Sequence, residues 1–535
     1  MAHGHWQQVL CTDRFPELAL GRSPASLSTC VSRVLRIGDR LHPLDPVTEN
    51  DRDLGQRLVG DGPMPVRHVS GQIRGLVQFY FLHAATVALV ATFAFQGTAD
   101  AQVAFASADG INVDVTYATD VAPIIQKNCT VCHRPGGIGP IDLVDYDDAK
   151  RYARRIRRQV SNRLMPPYYY DNDIGIQDLK EDWRLSQEDI NTIAAWVDQG
   201  APLGNADEIP VLNLHDTDDW SLANLFGQPD LLAPSTPIDV PAAGLDMWHR
   251  PIVPIIGDIG TEERCIKALQ VKPRGVAKTV VHHANSTFQL TRENDDGDDA
   301  GFSGSGRATE YAMGKLGEII PDGVCRTIPP NAFIRWDIHM YPGGLGATAA
   351  NDVIEGNIVD LGIWLHPVDY EYDYKQTLSL YGIREGELVM PPHGTTMTQG
   401  FHSFDHPVRV DSFQPHGHLR LRSASLEFFY PKTGRTEIIS MISNWSATWH
   451  QSHLYEDDVA PLLPTGAVMV IKQWYDNTEG NPNNPDADQW VDGGSRTADE
   501  MSHAWIALTH LDEEGYEKLV AEREADDEQR IAATN

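Results

Sequence analysis

Basic residues are scarce in this 535-residue chain: 43 lysines and arginines stand against 75 aspartates and glutamates, a formal charge of −32 at pH 7. Phosphate contacts need a basic face, so this deficit argues against nucleic acid as a partner; it favours solubility and basic partners instead. Long apolar runs are missing after residue 102. A bilayer span needs about 20 such residues, so no stable membrane span is expected once a signal is cleaved. Neither G-x-G-x-x-G nor a Walker loop is present, which removes the usual phosphate cradles. The acidic stretch 295–299 fails the EF-hand spacing and is expected to be a solvated loop. No internal repeat is evident. What remains is a chain with 41% apolar residues and 12 tryptophans, ample for folded cores, and long enough for several domains of roughly 100–200 residues.

Cysteines are few as well, six in all, but two of them carry the strongest local signal. Cys129-Thr130-Val131-Cys132-His133 has the spacing of c-type haem attachment: both thiols can add to the haem vinyl groups, and His133 is then held beneath the iron as an axial ligand. Met165-Pro166-Pro167 offers a thioether from a proline-bounded loop, a common second ligand in such cytochromes. Residues 118–127 are expected to form a helix entering the motif, with Pro123 in its first turns. Ser186 and Asp189 have capping-box spacing, Ile190, Ile193, Ala194 and Val197 then recur at helical spacing, and Gly200 ends the run. Residues 110–205 therefore resemble a small, all-α class I cytochrome c domain carrying one covalent haem.

The first 101 residues look like processing sequence. Residues 76–95 are apolar apart from Gln78, His83 and two threonines, Arg67 and Arg74 precede them, and Ala99-Asp100-Ala101 is an A-x-A cleavage site. The expectation is cleavage near Ala101, with a retained anchor as the alternative because the stretch exceeds an ordinary h-region of about 7–15 residues. A secretory signal should not begin some seventy residues into a protein, so translation is expected to start at Met64. Export plus covalent haem points to a bacterial periplasmic or secreted protein, where Cys265 and Cys325 are expected to form a disulfide; Cys11 and Cys30 lie upstream.

From about residue 225 the texture changes. Runs at 252–256, 276–281, 424–430 and 467–474 are β-rich and separated by Gly, Pro, Asn and Asp turns, the pattern of antiparallel sandwiches rather than βαβ units. Histidines gather at the ends of such runs. His282-His283 is expected to close the strand ending at Val281, His339 follows Ile334-Arg335-Trp336-Asp337-Ile338, and His416-Gly417-His418 places two imidazoles on one strand face. Imidazole suits borderline metals, and a thioether selects further for copper. His366, His393, His402, His406, His450 and His453 stand alone and are expected in core or surface roles.

In order, His282-His283, His339-Met340-Tyr341, His416-Gly417-His418 and Asp499-Glu500-Met501 resemble the copper type II, ascorbate-dependent monooxygenases, which include peptidylglycine and dopamine β-monooxygenases. Tyr475-Asp476-Asn477-Thr478 with Asn481-Pro482-Asn483-Asn484-Pro485-Asp486 is similar to bacterial members, several of which carry an N-terminal cytochrome, and so are Gly227-Gln228-Pro229-Asp230 and Val240-Pro241-Ala242. The resemblance spans about residues 220–510. It implies two antiparallel, jelly-roll-like β-sandwich copper domains, at 220–380 and 381–512, followed by an acidic tail at 513–535. It also implies two copper ions: one on His282, His283 and His339 that stores an electron, and one on His416, His418 and Met501 where O2 is activated and a C–H bond hydroxylated. A soft, neutral thioether favours Cu(I), the state that reacts with O2.

Departures bear on the substrate. In peptide-hydroxylating members an arginine two residues before the H-x-H pair anchors a carboxylate; here it is Gln414. The asparagine and tyrosine that follow the methionine are replaced by His503 and Trp505. Without a fork-shaped cation, bidentate carboxylate capture is lost, so a small or hydrophobic organic molecule is expected. Electrons would come from a periplasmic donor through the tethered haem, which acts at high effective concentration. Arg151, Arg154, Arg155, Arg157 and Arg158 form a basic helix face for docking or for the haem propionates, or simply a solvated face. Two further classes stay open: a non-catalytic periplasmic haem/copper electron-transfer protein, and a copper-binding protein without oxygen chemistry.

Overall fold

The computed structural model describes residues 114–212, 219–240, 246–290, 306–312, 315–340, 358–383 and 385–534. The expected signal, the proposed start at Met64, Cys11, Cys30, the acidic stretch 295–299, and Pro241, Ala242 and Tyr341 lie outside them.

The chain begins with helices. A π-helical turn, Tyr117–Val121, runs into the α-helix Ala122–Asn128, with Pro123 in its first turn where a missing N–H costs nothing. The helix Tyr146–Ser161 is capped by Asp145, whose side chain accepts the Asp148 N–H. The helix Gln187–Asp198 carries the reciprocal Ser186/Asp189 capping box. These helices bury Ile125, Ile156, Ile193 and Trp196 against one another. On Tyr146–Ser161, Ala149, Ala153, Ile156 and Val160 face this core, while Arg151, Arg154, Arg155 and Arg158 are exposed. Arg157 turns to Asp198 on the neighbouring helix at 2.5 Å.

Everything beyond is predominantly β, and mostly antiparallel. One long sheet runs the length of this region; its central path leads from His453–Tyr455 through Val408–His416, His503–His510, Tyr374–Gly382, Val324–Ile328 and Arg264–Pro273 to Val359–Leu365. Two smaller sheets pack on it. Met247–His249, Phe333–Met340, Val281–Gln289 and Arg307–Ala312 cover one end, closing a core around Ile266, Leu269, Phe288 and Trp336. Arg435–Ile442, Leu421–Tyr430, Val468–Asp476 and Thr395–Ser403 cover the other, closing a core around Phe413, Phe428, Ile471 and Ile506. Trp336 and Phe413 are fully buried, and truncating either to alanine removes about 3–5 kcal/mol.

The two halves are not separate sheets. Tyr374–Gly382, which crosses the expected boundary at 380/381, pairs in parallel with Val324–Ile328 of the first half and antiparallel with His503–His510 of the second. The helical segment is sewn in too: Tyr170–Gly175 pairs with Arg435–Ile442, and Leu179–Lys180 with His453–Tyr455. Cys265 and Cys325 form a disulfide across adjacent strands of the long sheet. The segment 513–535 is largely a helix, Glu513–Thr534. No helix among the described residues is long and apolar enough to cross a membrane.

One expected strand is corrected. Residues 276–281 are not a strand ending at the histidine pair: Gly275–Thr279 is a 3-10 helix, and the strand Val281–Gln289 begins just before His282. Gly275 adopts positive φ, turning the chain into that helix, so a short β-branched run was overridden by its turn. The second pair differs less. The strand Val408–His416 ends at His416, and His418 lies in the turn beyond it.

Candidate metal centre

Sheet register decides where the histidines meet. His339 pairs directly with His283 across Phe333–Met340 and Val281–Gln289, and His416 pairs directly with His503 across Val408–His416 and His503–His510. The ligating nitrogens of His282, His283 and His339 lie within 4.8 Å of one another, so the three can hold a metal ion. This trio does not stand apart from the second set: the His283 and His416 ring centres are 5.1 Å apart, and those of His416 and His418 5.5 Å. The structure thus gathers all five expected imidazoles in one seam. Two more join them. His503 stacks on His416 at 4.8 Å, and His450 lies 4.5 Å from His282 and 5.0 Å from His416.

Burial sets the charge of this cluster. It lowers His282 to about 3 (helped by His339), His418 to about 4 and His503 to about 3, and it carries His283 and His416 well below the ordinary imidazole value. Neutral imidazoles are the metal-binding form, so these rings need lose no proton at neutral pH to take an ion. The Nδ1 atoms of His282, His283 and His416 are buried without a hydrogen-bond partner, whereas buried polar atoms are nearly always paired. Unpaired imidazole donors facing one another fit a borderline or soft ion.

Surrounding groups fix the rings. Trp248 stacks on His339 at 4.8 Å. The Asp246 carboxylate accepts from His339 Nε2 at 3.3 Å, from the Thr497 N–H at 2.7 Å and from its hydroxyl at 2.8 Å; burial opposes its ionisation, but these bonds prevail and hold it at about 2. His282 Nε2 is 2.6 Å from the Ala447 carbonyl, and His418 Nδ1 is 3.1 Å from the Asp499 carbonyl. Glu500, fully buried, accepts the His418 N–H at 2.7 Å and the Arg420 N–H at 2.5 Å, while burial pushes its carboxyl up to about 8. Met501 places its backbone in the same turn: its carbonyl accepts from the Tyr475 hydroxyl at 2.7 Å and would be 3.2 Å from a Cβ at position 417. Gly417 has no room for one, since the Leu421 side chain would be 2.7 Å away.

The two residues at positions 414 and 505 lie side by side. Gln414 pairs in register with Trp505, and its amide donates to Glu310, whose carboxyl burial pushes up to about 8. Arg307 reaches over the Trp505 ring at 4.3 Å from a strand of the other half.

At the haem-type motif, Cys129 and Cys132 are free thiols, pushed up to about 12 by burial. His133 Nδ1 is 2.9 Å from the Ile141 carbonyl, the contact that fixes a ligating imidazole and leaves Nε2 available. Gly139 lets the loop close over that ring: a Cβ there would lie 2.6 Å from His133 Nδ1. Met165 lines a cavity of about 230 Å³ with Tyr168, Tyr169, Tyr170 and Arg184, which neither cysteine nor His133 lines. The motif loop rests on the metal-site sandwich, where Lys278, four residues before His282, donates to the Gly136 carbonyl.

Sequence reasoning missed His450, Asp246, Trp248 and Arg307. His450 has no paired neighbour at strand spacing, and nothing in its own segment marks it. Of the other isolated histidines, His453 is buried against Tyr168 and Tyr170, and His393 lies at the surface beside Glu479 and Asp488.

No family model matches this chain, and no curated protein does. Solved structures with some likeness include viral particles. The cowpea mosaic virus top component is 7% identical over 56% of this chain and 94% of its own, with a TM-score of 0.25. The infectious bursal disease virus VP2 subviral particle is 7% identical over 56% of this chain and 75% of its own, with a TM-score of 0.15. Superpositions this loose transfer nothing to the site.

Proposed function

We propose that this protein is a copper-dependent monooxygenase that hydroxylates a C–H bond of a small or hydrophobic organic substrate with O2, with electrons entering through a fused c-type haem. The observation that carries this reading is the convergence of His282, His283, His339, His416 and His418 in one buried seam, with the Met501 backbone packed at Gly417. Copper, when bound, supplies one-electron redox chemistry and oxygen activation.

The chain's own contributions follow from the geometry. The first three histidines would hold one ion, and His416, His418 and Met501 the other. Burial keeps the His282, His283, His416 and His418 imidazoles neutral, so they are ready as ligands. Asp246 orients His339 and ties it to the Thr497 segment that leads to Met501; such outer hydrogen bonds fix ring orientation. Glu500 holds the His418 turn through two backbone bonds. Gln414 and Trp505 form a wall that is apolar on one side and polar on the other.

The residues around Cys129 fit a covalent haem. Both thiols are free, and the His133 bond to Ile141 leaves the other ring nitrogen for iron. Haem supplies one-electron transfer, and the contact from Lys278 to the motif loop lies next to the first histidine pair. A bacterial periplasmic or extracellular setting suits both cofactors.

The test is metal analysis of the exported protein with a visible spectrum before and after a reductant and air, then the same for Met501→Ile. We expect two coppers and one c-type haem, oxygen-driven haem reoxidation in the parent, and loss of that reoxidation in the variant with its haem spectrum intact. A protein that binds haem but little copper, or a variant that reoxidises like the parent, refutes the assignment.

A further inference from the structure

The helix Tyr146–Ser161 carries six basic residues against two acidic ones, in a chain whose formal charge is −32. Asp147 and Asp148 occupy its first turn, where carboxylates suit the helix dipole; the rest of its polar face is basic. Arg151, Arg154, Arg155 and Arg158 recur at helical spacing and form one stripe about 10 Å long, at 1.5 Å of rise per residue. The stripe lies opposite Ala149, Ala153, Ile156 and Val160, which are buried. All four arginines are exposed, so no described strand of the acidic β region covers them. Arg151 rests over the Tyr152 ring at 5.7 Å. Among the described residues none of the four forms an ion pair, whereas Arg157, on the flank towards Gln187–Asp198, is held by Asp198.

The stripe leads to an apolar spot. Just past the helix, Leu164 and Met165 are 44% and 37% exposed. Val160 in the last turn, then Asn162, Arg163 and Met165, line one side of the cavity of about 230 Å³. The positive stripe therefore ends at the rim of the cavity that holds the expected haem ligand. Exposed apolar contacts beside charge of one sign are what a transient protein partner uses: the charge steers and orients, and the apolar centre makes the contact.

We propose that the Arg151, Arg154, Arg155 and Arg158 stripe, with Leu164 and Met165, is the docking surface for an acidic electron-donor protein that reduces the fused haem. This rests on the haem assignment above and adds to it the surface and the charge of the donor. In each encounter the donor is oxidised by one electron and the haem iron goes from Fe(III) to Fe(II); no atom is transferred. Four guanidiniums within about 10 Å, close to the Debye length of about 8 Å at physiological salt, act on a nearby partner as one positive field. A small acidic protein meets that field alone. An anionic membrane would meet the whole face, Asp147 included, and the strongly negative chain would be repelled from it.

The experiment uses the full-length, haem-loaded protein, the parent against two variants: Arg151→Gln, Arg154→Gln, Arg155→Gln and Arg158→Gln together, and the same four positions changed to Glu. Haem reduction is followed after flash generation of two semiquinones, that of flavin mononucleotide, which is anionic, and that of lumiflavin, which is neutral. Binding of labelled poly-L-glutamate and of phosphatidylglycerol vesicles is measured alongside. In the parent the anionic flavin is expected to react about 10-fold faster at low than at high salt, the scale of electrostatic steering, and poly-L-glutamate to bind and to slow it. The glutamine variant should lose that salt slope and the polymer, and the glutamate variant should invert the slope. Lumiflavin rates should stay alike in all three, which shows that the haem and its surroundings are intact. A parental rate that rises with salt, as the net charge alone demands, overturns the docking surface, as do variants with the parental slope. Vesicles held by these arginines while poly-L-glutamate is not, or a parental dimer that the glutamine variant loses, also overturn it, in favour of a membrane or a second copy. A protein without a c-type haem spectrum overturns the haem assignment and the electron delivery with it, and polymer binding then decides the acidic-partner surface alone. If the glutamate variant fails to fold by circular dichroism, the glutamine variant and the parental salt slope decide.

Discussion

Replacing Glu500 by glutamine removes one acceptor from a site that uses two. The Glu500 oxygens take the His418 N–H at 2.7 Å and the Arg420 N–H at 2.5 Å, and the side chain is fully buried. The turn is tightened further by the Arg420 guanidinium, which donates to Asn477 Oδ1 at 2.9 Å and to the Ala498 carbonyl at 2.8 Å. A glutamine can satisfy one backbone donor with its oxygen, but its amide NH2 then faces the other. A buried N–H left without an acceptor costs about 1–3 kcal/mol, so Glu500→Gln should destabilise by that amount and Glu500→Ala by roughly twice as much. The loss should be local to the His416–His418 turn. Urea unfolding of the metal-free protein at about pH 9, above the value of about 8 to which burial pushes this carboxyl so that both oxygens accept, measures the stability change, and chelator competition measures Cu(II) affinity. We expect a lower unfolding midpoint in both variants and weaker binding of one ion, while the ion held by His282, His283 and His339 keeps its affinity. A Glu500→Gln protein within about 0.5 kcal/mol of the parent, the range of an ordinary surface change, would refute the two-bond clamp.

Two further outcomes follow from buried groups away from the ligands. Burial, aided by Arg184, holds His453 at about 3, against 6.5 for an unperturbed imidazole. Because the folded value is depressed, the unfolded chain binds the proton more readily: the contribution of this group is complete above pH 6.5 and is lost as pH falls towards 3, at about 1.4 kcal/mol per pH unit. His453→Phe should therefore flatten the acid loss of stability between pH 6.5 and 4, measured by denaturant midpoints, and an unchanged slope would disprove it. The Cys265–Cys325 disulfide closes 60 residues, a loop whose entropy is worth about 4 kcal/mol. Replacing both cysteines by alanine should cost most of that in unfolding free energy, and a change under about 1 kcal/mol would show that the cross-link constrains little.

Several features were legible in the chain alone because short spacings encode them. Cys129, Cys132 and His133 are neighbours whatever the fold, and the Ser186/Asp189 capping box spans only three peptide bonds. The β-rich runs at 252–256, 424–430 and 467–474 each contain or overlap a strand. The run at 276–281 misled because a turn at Gly275 outweighs the local propensity of its three valines, and the same shift moved the histidine pair from the end of a strand to its beginning.

Residue type and spacing thus determined the haem-type motif, the β character of the larger part and the five histidines worth watching. Only the tertiary structure decided that those histidines share one seam. It also decided that Tyr374–Gly382 joins the two halves into a single sheet, that Asp246 reaches Thr497 across 251 residues of sequence, and that Arg307 covers Trp505. His450 belongs with these: its segment carries no periodic signal, and its place is set by the packing of two sheets. The physical reason is strand register. A shift of one residue turns every side chain to the opposite face, and register is fixed by the summed burial of both cores rather than by any residue at the site.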